Sequence, residues 1–166
     1  MATRNEVIDA LQAVPDPEMP ISIVDLGLVE DLRIENGVVH VTLLPTFVGC
    51  PALDMIKRDV CAKVGGMKGV ARVEVEYVFD PPWTVDRITE AGRASLAEHG
   101  VTVPERGGRL EVAGHDGTVE LRTSAVACPV CGSDSTYLDS PFGPTRCRMI
   151  YYCNACRNSF EHMKRV

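Results

Sequence analysis

Apolar residues recur along this chain with two different periods, and the changes of period mark out its elements. Val7, Ile8, Leu11 and Val14 sit at helical spacing, Thr3 and Glu6 form a capping-box pair ahead of them, and Pro15 stops the run. Leu28 to Ile34 and Val38 to Leu44 read as strands flanking Glu35-Asn36-Gly37, where Asn-Gly favours a two-residue hairpin turn because both residues accept positive φ. After Pro51 the helical period returns at Leu53, Ile56, Val60 and Val64, and Gly65-Gly66 ends it. Val73, Val75, Tyr77 and Phe79 then alternate with Arg72, Glu74 and Glu76 as a half-buried strand does. Helix, hairpin, helix and strand pack as one sheet with helices on a face, so the expected fold class is α+β, a small sandwich over residues 1–100.

A further helix is expected from about Asp86 to His99, closed by Gly100. Residues 101–127 carry short alternating pieces around Leu110 and Val119 and a His115-Asp116-Gly117 turn, and read as a linker or a short hairpin. Residues 128–166 form too short a segment to bury enough apolar surface unaided, and such segments rely on a metal or on disulfides.

The cysteines choose between these. Cys128-Pro129-Val130-Cys131 and Cys153-Asn154-Ala155-Cys156 are two Cys-x-x-Cys pairs, each of which turns two thiolates toward one point, so that together they close a four-sulfur shell. Gly132 supplies a residue free to take positive φ, which lets backbone N–H groups turn back toward the sulfurs. A complete disulfide framework does not fit seven cysteines, an odd number, and Met1 to Gln12 lacks the apolar core of a signal peptide. The expected module is therefore a zinc ribbon in a cytoplasmic protein, although a Cys-Pro-x-Cys-Gly knuckle also suits a rubredoxin-type iron site. Cys147, between the pairs, is open to three roles: packing, substitute ligand or free thiol.

With 166 residues, 45% apolar, 24% charged and a net charge of −6, the chain has the profile of a soluble protein with one core and an appendage. No apolar run approaches the ~20 residues of a membrane span, so no membrane partner is expected. Zinc ribbons often bind nucleic acid, but here five basic residues (Arg146, Arg148, Arg157, Lys164, Arg165) meet three acids (Asp134, Asp139, Glu161), a net of +2 that leaves −8 on the rest. Four thiolates around a divalent metal cancel that excess, which makes a nucleic-acid-binding ribbon the weaker alternative.

Cys50 stands directly before the second helix, with Pro51 at the expected first helical position. A thiol there faces unpaired N–H groups and the positive end of the helix dipole, which favours a thiolate nucleophile or metal ligand; a small buried capping residue is the other reading of the same position. Cys61 lies inside that helix and reads as core. No histidine is placed to activate Cys50 as a thiol enzyme, since His40 falls on a strand and His99 at a helix end. Asp16 and Asp25 either brace their proline- and glycine-marked loop through backbone N–H groups or join Cys50 in a pocket, and spacing alone does not choose.

The combination of Asp16-Pro17-Glu18, Ser22-Ile23-Val24-Asp25-Leu26-Gly27-Leu28-Val29 and Gly49-Cys50-Pro51 resembles the small iron-sulfur assembly domain of the SufT-like accessory proteins and of eukaryotic cytosolic iron-sulfur targeting factors. That resemblance makes Cys50 the family's functional cysteine. Asp80-Pro81-Pro82-Trp83-Thr84, Ile88 to Arg93, the ribbon cysteines, Phe142 to Cys147 and Phe160 extend the resemblance, over nearly the whole chain, to the PaaD family of phenylacetate degradation; Arg87 stands where that pattern has an aromatic residue. The resemblance implies a non-catalytic accessory of the multicomponent phenylacetyl-CoA epoxidase, a di-iron oxygenase with a flavin and iron-sulfur reductase. It implies partners among the oxygenase and reductase subunits and the iron-sulfur assembly machinery. A transient iron-sulfur cluster at Cys50, Asp16 and Asp25 is compatible with one chain or with a homodimer. A stable structural subunit of the oxygenase is the alternative.

Overall fold

The computed structural model describes residues 2–107, 112–113, 120–121 and 126–165. It divides into two compact units, Met1–His99 and Gly100–Arg165.

The first unit begins with α1 (Arg4–Gln12), whose N-cap Thr3 and Glu6 form a reciprocal capping box: the Thr3 backbone N–H donates to Glu6 Oε2 at 2.7 Å and the Glu6 N–H donates to Thr3 Oγ1 at 3.3 Å. Strands β1 (Val29–Glu35) and β2 (Val38–Leu43) pair antiparallel around Asn36 and Gly37, at φ 51° and 82°, the two positive angles a tight hairpin turn requires. After β2 the chain passes through α2 (Leu53–Gly65) to β3 (Arg72–Tyr77), which lies parallel to β2, so the sheet order is β1-β2-β3. Val7 and Leu11 of α1, Ile56, Val60 and Val64 of α2, and Val39, Val41 and Leu43 of β2 are all buried between helices and sheet. The opposite face is polar, with Thr42 Oγ1 donating to Glu76 Oε1 at 3.1 Å and His40 3.1 Å from Glu74. This is the expected α+β arrangement.

The expected helix over Asp86–His99 is split. A single 3-10 turn at Val85–Arg87 precedes α3 (Glu90–Glu98), because Thr89 is extended and serves as its N-cap, with its Oγ1 accepting from the Gly92 N–H at 3.0 Å.

In the second unit Val101–Thr102 is strand β4. Val112–Ala113 (β5) pairs antiparallel with Glu120–Leu121 (β6), as a hairpin would, and the His115-Asp116-Gly117 turn expected there lies outside the described residues. Strands β7 (Thr136–Ser140), β8 (Arg148–Cys153) and β9 (Ser159–Met163) form an antiparallel meander, with β4 added parallel to β9 to give the order β4-β9-β8-β7. Its small core is Cys128, Tyr151, Cys153 and Phe160, the two rings stacked at 5.8 Å.

Candidate functional site

The two cysteine pairs sit on matching turns. In the first, the Cys128 N–H donates to the Ser133 carbonyl (3.0 Å) and the Gly132 N–H donates to the Cys128 carbonyl (2.8 Å). In the second, the Cys153 N–H donates to the Asn158 carbonyl (3.0 Å) and the Arg157 N–H donates to the Cys153 carbonyl (2.9 Å). The position after each second cysteine is left-handed, Gly132 at φ 72° and Arg157 at φ 60°. A further correspondence follows the same offset: the Ser133 backbone N–H bonds the Cys131 sulfur and the Asn158 backbone N–H bonds the Cys156 sulfur.

These turns bring all four sulfurs within 4.8 Å of one another, with Cys128–Cys156 and Cys131–Cys153 at 3.6 Å. A tetrahedral centre with metal–sulfur bonds of about 2.3 Å has edges of about 3.8 Å, whereas a disulfide needs about 2.05 Å, so the donor set fits a four-thiolate metal and leaves no pair bonded. The protonation pattern carries the same message. At Cys131 the Ser133 N–H favours the thiolate, but partial desolvation and the neighbouring sulfurs overturn it and push the thiol up to about 12. At Cys156 the side-chain and backbone donors of Asn158 prevail and bring the thiol down to about 6. Four thiols this close do not all ionise unless a cation sits among them. Cys147 is apart from this group: it is buried, and its sulfur lies 3.2 Å from Thr145 Oγ1.

In the first unit Cys50 is half-buried in the loop between β2 and α2, at the carboxyl ends of the parallel strands β2 and β3. The helix starts later than the sequence suggests. Its first residue is Leu53 and its N-cap is Ala52, which offers no side-chain cap, so Pro51 is not at the first helical position and Cys50 belongs to the preceding turn. Within that turn the Cys50 N–H reaches the Phe47 carbonyl and the Leu53 N–H reaches the Cys50 carbonyl, both at 3.3 Å.

Asp16 accepts from the Glu18 N–H at 2.8 Å, a local turn brace. Asp25 does more. Its carboxylate accepts from Gln12 Nε2, Ser22 Oγ (3.1 Å) and Thr89 Oγ1 (2.6 Å), and its carbonyl accepts from the Thr89 N–H (2.9 Å), tying the loop to the start of α3. Sequence reasoning missed this partner because Thr89 lies 64 residues away. It also missed Arg87, whose guanidinium donates to the Gly27 carbonyl (2.8 Å) and the Val29 carbonyl (3.3 Å) and pairs with Glu30 (2.7 Å). The residue that departs from the aromatic pattern thus clamps the loop through a planar fork of donors.

An α+β unit followed by a four-cysteine ribbon defines a two-module protein with a candidate metal centre in the second module. The chain belongs to the PaaD family. A family model described as "Iron-sulfur cluster assembly protein" matches residues 4–76, and one described as "PaaD zinc beta ribbon domain" matches residues 113–164. An Escherichia coli (strain K12) protein, provisionally named as a 1,2-phenylacetyl-CoA epoxidase subunit, is 35% identical over 161 residues, 96% of this chain and 92% of that one. A Bacillus subtilis (strain 168) Fe-S protein maturation auxiliary factor is 35% identical over 57% of this chain and 94% of its own length. Among solved structures, a conserved hypothetical protein from Thermotoga maritima superposes with a TM-score of 0.51 at 38% identity, covering 56% of this chain and 92% of that chain. No helix among the described residues is long and apolar enough to cross a membrane.

Proposed function

We propose that the chain is a non-catalytic maturation factor for the metal centres of the phenylacetyl-CoA epoxidase system, with Cys50 as the ligand that passes an iron-sulfur cluster and a zinc ion closing the ribbon. The observation that carries this reading is a split of thiol environments: four sulfurs converge within 4.8 Å in one unit, while Cys50 stands half-buried on a turn in the other. A closed set of four thiolates suits a resident structural zinc, which would be held by Cys128, Cys131, Cys153 and Cys156 and would supply folding energy to the ribbon. A single half-exposed thiolate suits transient ligation. Transfer is then ligand exchange: a client thiol gives up its proton to solvent or to the departing Cys50 sulfur and bonds iron as the iron–Cys50 bond breaks, and no electron changes hands. Relatives named as Fe-S protein maturation auxiliary factors support the iron-sulfur part of this reading, and the match to the Escherichia coli relative over 96% of the chain supports the epoxidase as client.

The test is to purify the reductase and oxygenase from a deletion strain and a Cys50→Ser strain and to measure iron and sulfide per chain. Metal-poor enzyme in both strains, with the ribbon metal of the Cys50→Ser protein intact, is the expected result; full loading in both overturns it. The Escherichia coli relative's name, which makes it a component of the epoxidase, favours a second reading, a stable part of the oxygenase. Co-purification in fixed stoichiometry with fully metallated partners would select that reading.

A further inference from the structure

The loop that carries Cys50 makes two backbone turn bonds beside the thiol. Leu44 is still tied to the sheet margin, its N–H donating to the Leu28 carbonyl at 2.7 Å, but beyond it Gly49 stands at φ 78° with nothing within 4 Å of a Cβ, and the two turn bonds around Cys50 are long at 3.3 Å. The helix that follows starts on Ala52 without a side-chain cap. A side chain from another element reaches the end of this turn. Tyr77, the last residue of β3, donates its hydroxyl to the carbonyl of Leu53, the first residue of α2, at 2.7 Å.

We propose that Tyr77 is a positioning residue for Cys50, holding the Cys50–Leu53 turn at the end of the sheet so that the thiol is presented in one geometry. This inference rests on the transfer role given to Cys50 above. Tyr77 is well suited to the task. Its backbone is fixed by the parallel register with Leu43 and by the adjacent Val78 N–H, which donates to the Leu43 carbonyl at 2.9 Å. The residue is half-buried. Burial first, and then the charges of Asp54, Cys50 and Cys61, raise its pKa well above the usual tyrosine value, which keeps the proton on the oxygen that must donate it. Sequence alternation marked Tyr77 only as a strand residue; its hydroxyl partner, 24 residues back, carries no local signal.

Tyr77→Phe keeps the ring and deletes only the hydroxyl. Two readouts on the full-length, metal-replete protein separate positioning from plain stability. The first is the rate of alkylation of Cys50 relative to Cys61 in the same sample, expected to change by about fivefold, the scale of one lost hydrogen bond. The second, after anaerobic cluster reconstitution, is the rate at which a chelator bleaches the cluster's visible absorption, expected to rise by about five- to tenfold. A lower melting temperature with both rates within twofold of wild type would overturn the proposal, because a merely structural tyrosine gives that result. If Cys50→Ser reconstitutes as well as wild type, the transfer reading fails on its own, and the alkylation ratio still decides whether Tyr77 positions the thiol. Amide hydrogen exchange at 46–53 is the companion measurement: it should accelerate in Tyr77→Phe while the centre of α2 stays protected, and unchanged exchange counts against the proposal.

Discussion

The indole Nε1–H of Trp83 donates to the carbonyl of Leu26 at 2.9 Å, across 57 residues of sequence, and Trp83 itself is almost wholly buried. Leu26 lies in the turn-rich loop whose neighbours Ile23 and Leu28 are core residues, so the indole both fills space and satisfies a carbonyl that the loop leaves open. Trp83→Phe removes the donor and part of the volume. The expected loss is about 2–4 kcal/mol, read as a lower denaturant midpoint at unchanged slope.

Gly27 and Gly49 share a left-handed backbone, at φ 74° and 78°, but not a neighbourhood. A Cβ on Gly27 would fall 2.5 Å from the Arg87 carbonyl oxygen, while one on Gly49 meets nothing within 4 Å. Gly49→Ala should therefore cost only the conformational strain of about 1–2 kcal/mol. Gly27→Ala adds a backbone collision and should cost more than about 3 kcal/mol or displace Arg87 from its carbonyl partners. Equal melting temperatures for the two variants would contradict this.

Cys153→Ser should strip the ribbon of its metal and unfold it, because binding energy and folding energy are the same quantity in so small a module. Elemental analysis is expected to give about one zinc per wild-type chain. Near-ultraviolet signals of the first unit should survive the substitution.

Arg157 holds, at φ 60°, the position that Gly132 holds in the other turn, and its side chain is exposed. An L-residue in that region carries about 1–2 kcal/mol of strain, partly offset by the extra chain entropy that glycine loses. Arg157→Gly should stabilise the ribbon by about 0.5–1 kcal/mol at fixed free metal, and Gly132→Ala should do the reverse. Matched melts of the three proteins check both signs.

His162 supplies a pH dependence. It is buried, its Nδ1 lies 2.7 Å from Thr102 Oγ1, and burial, then the nearby Arg165 charge, lowers its pKa to about 4 from 6.5. The unfolded chain therefore binds more protons than the folded one between pH 6.5 and 4, and stability must fall as pH drops through that window and level off below it. The total is on the order of 3 kcal/mol. His162→Gln should flatten the slope, with metal content measured at each pH so that acid release of the ribbon metal is scored separately.

The parts of this molecule that were legible in its sequence are those fixed by near neighbours. Thr3 and Glu6, Asn36 and Gly37, and the paired cysteines act over a few residues, and the helix, the hairpin and the converging sulfurs follow from them. What was not legible depends on distant partners. The continuous helix expected from Asp86 breaks at Thr89 because Asp25 holds that residue by both backbone and side chain. Val101 and Thr102 become strand only because Glu161 and His162 lie beside them. The delayed start of α2 has a similar cause: Pro51 is a sound first helical residue by local rules, yet the turn through Cys50 and Leu53, with Tyr77 bonded to its end, sets the boundary two residues on.

The backbone frame around the four sulfurs is written twice, once from Cys128 to Ser133 and once from Cys153 to Asn158, and Asn154 at the tip of the second turn adds a tie of its own, its N–H donating to the Ser135 carbonyl at 2.9 Å. Pro129-Val130 and Asn154-Ala155 occupy equivalent places, Pro129 and Asn154 have nothing chemical in common, and Val130 is 64% exposed. Exchanging Val130 or Ala155 therefore leaves the repeated backbone bonds that aim the sulfurs in place, so the ribbon can change its outermost surface at these two points and keep its metal shell.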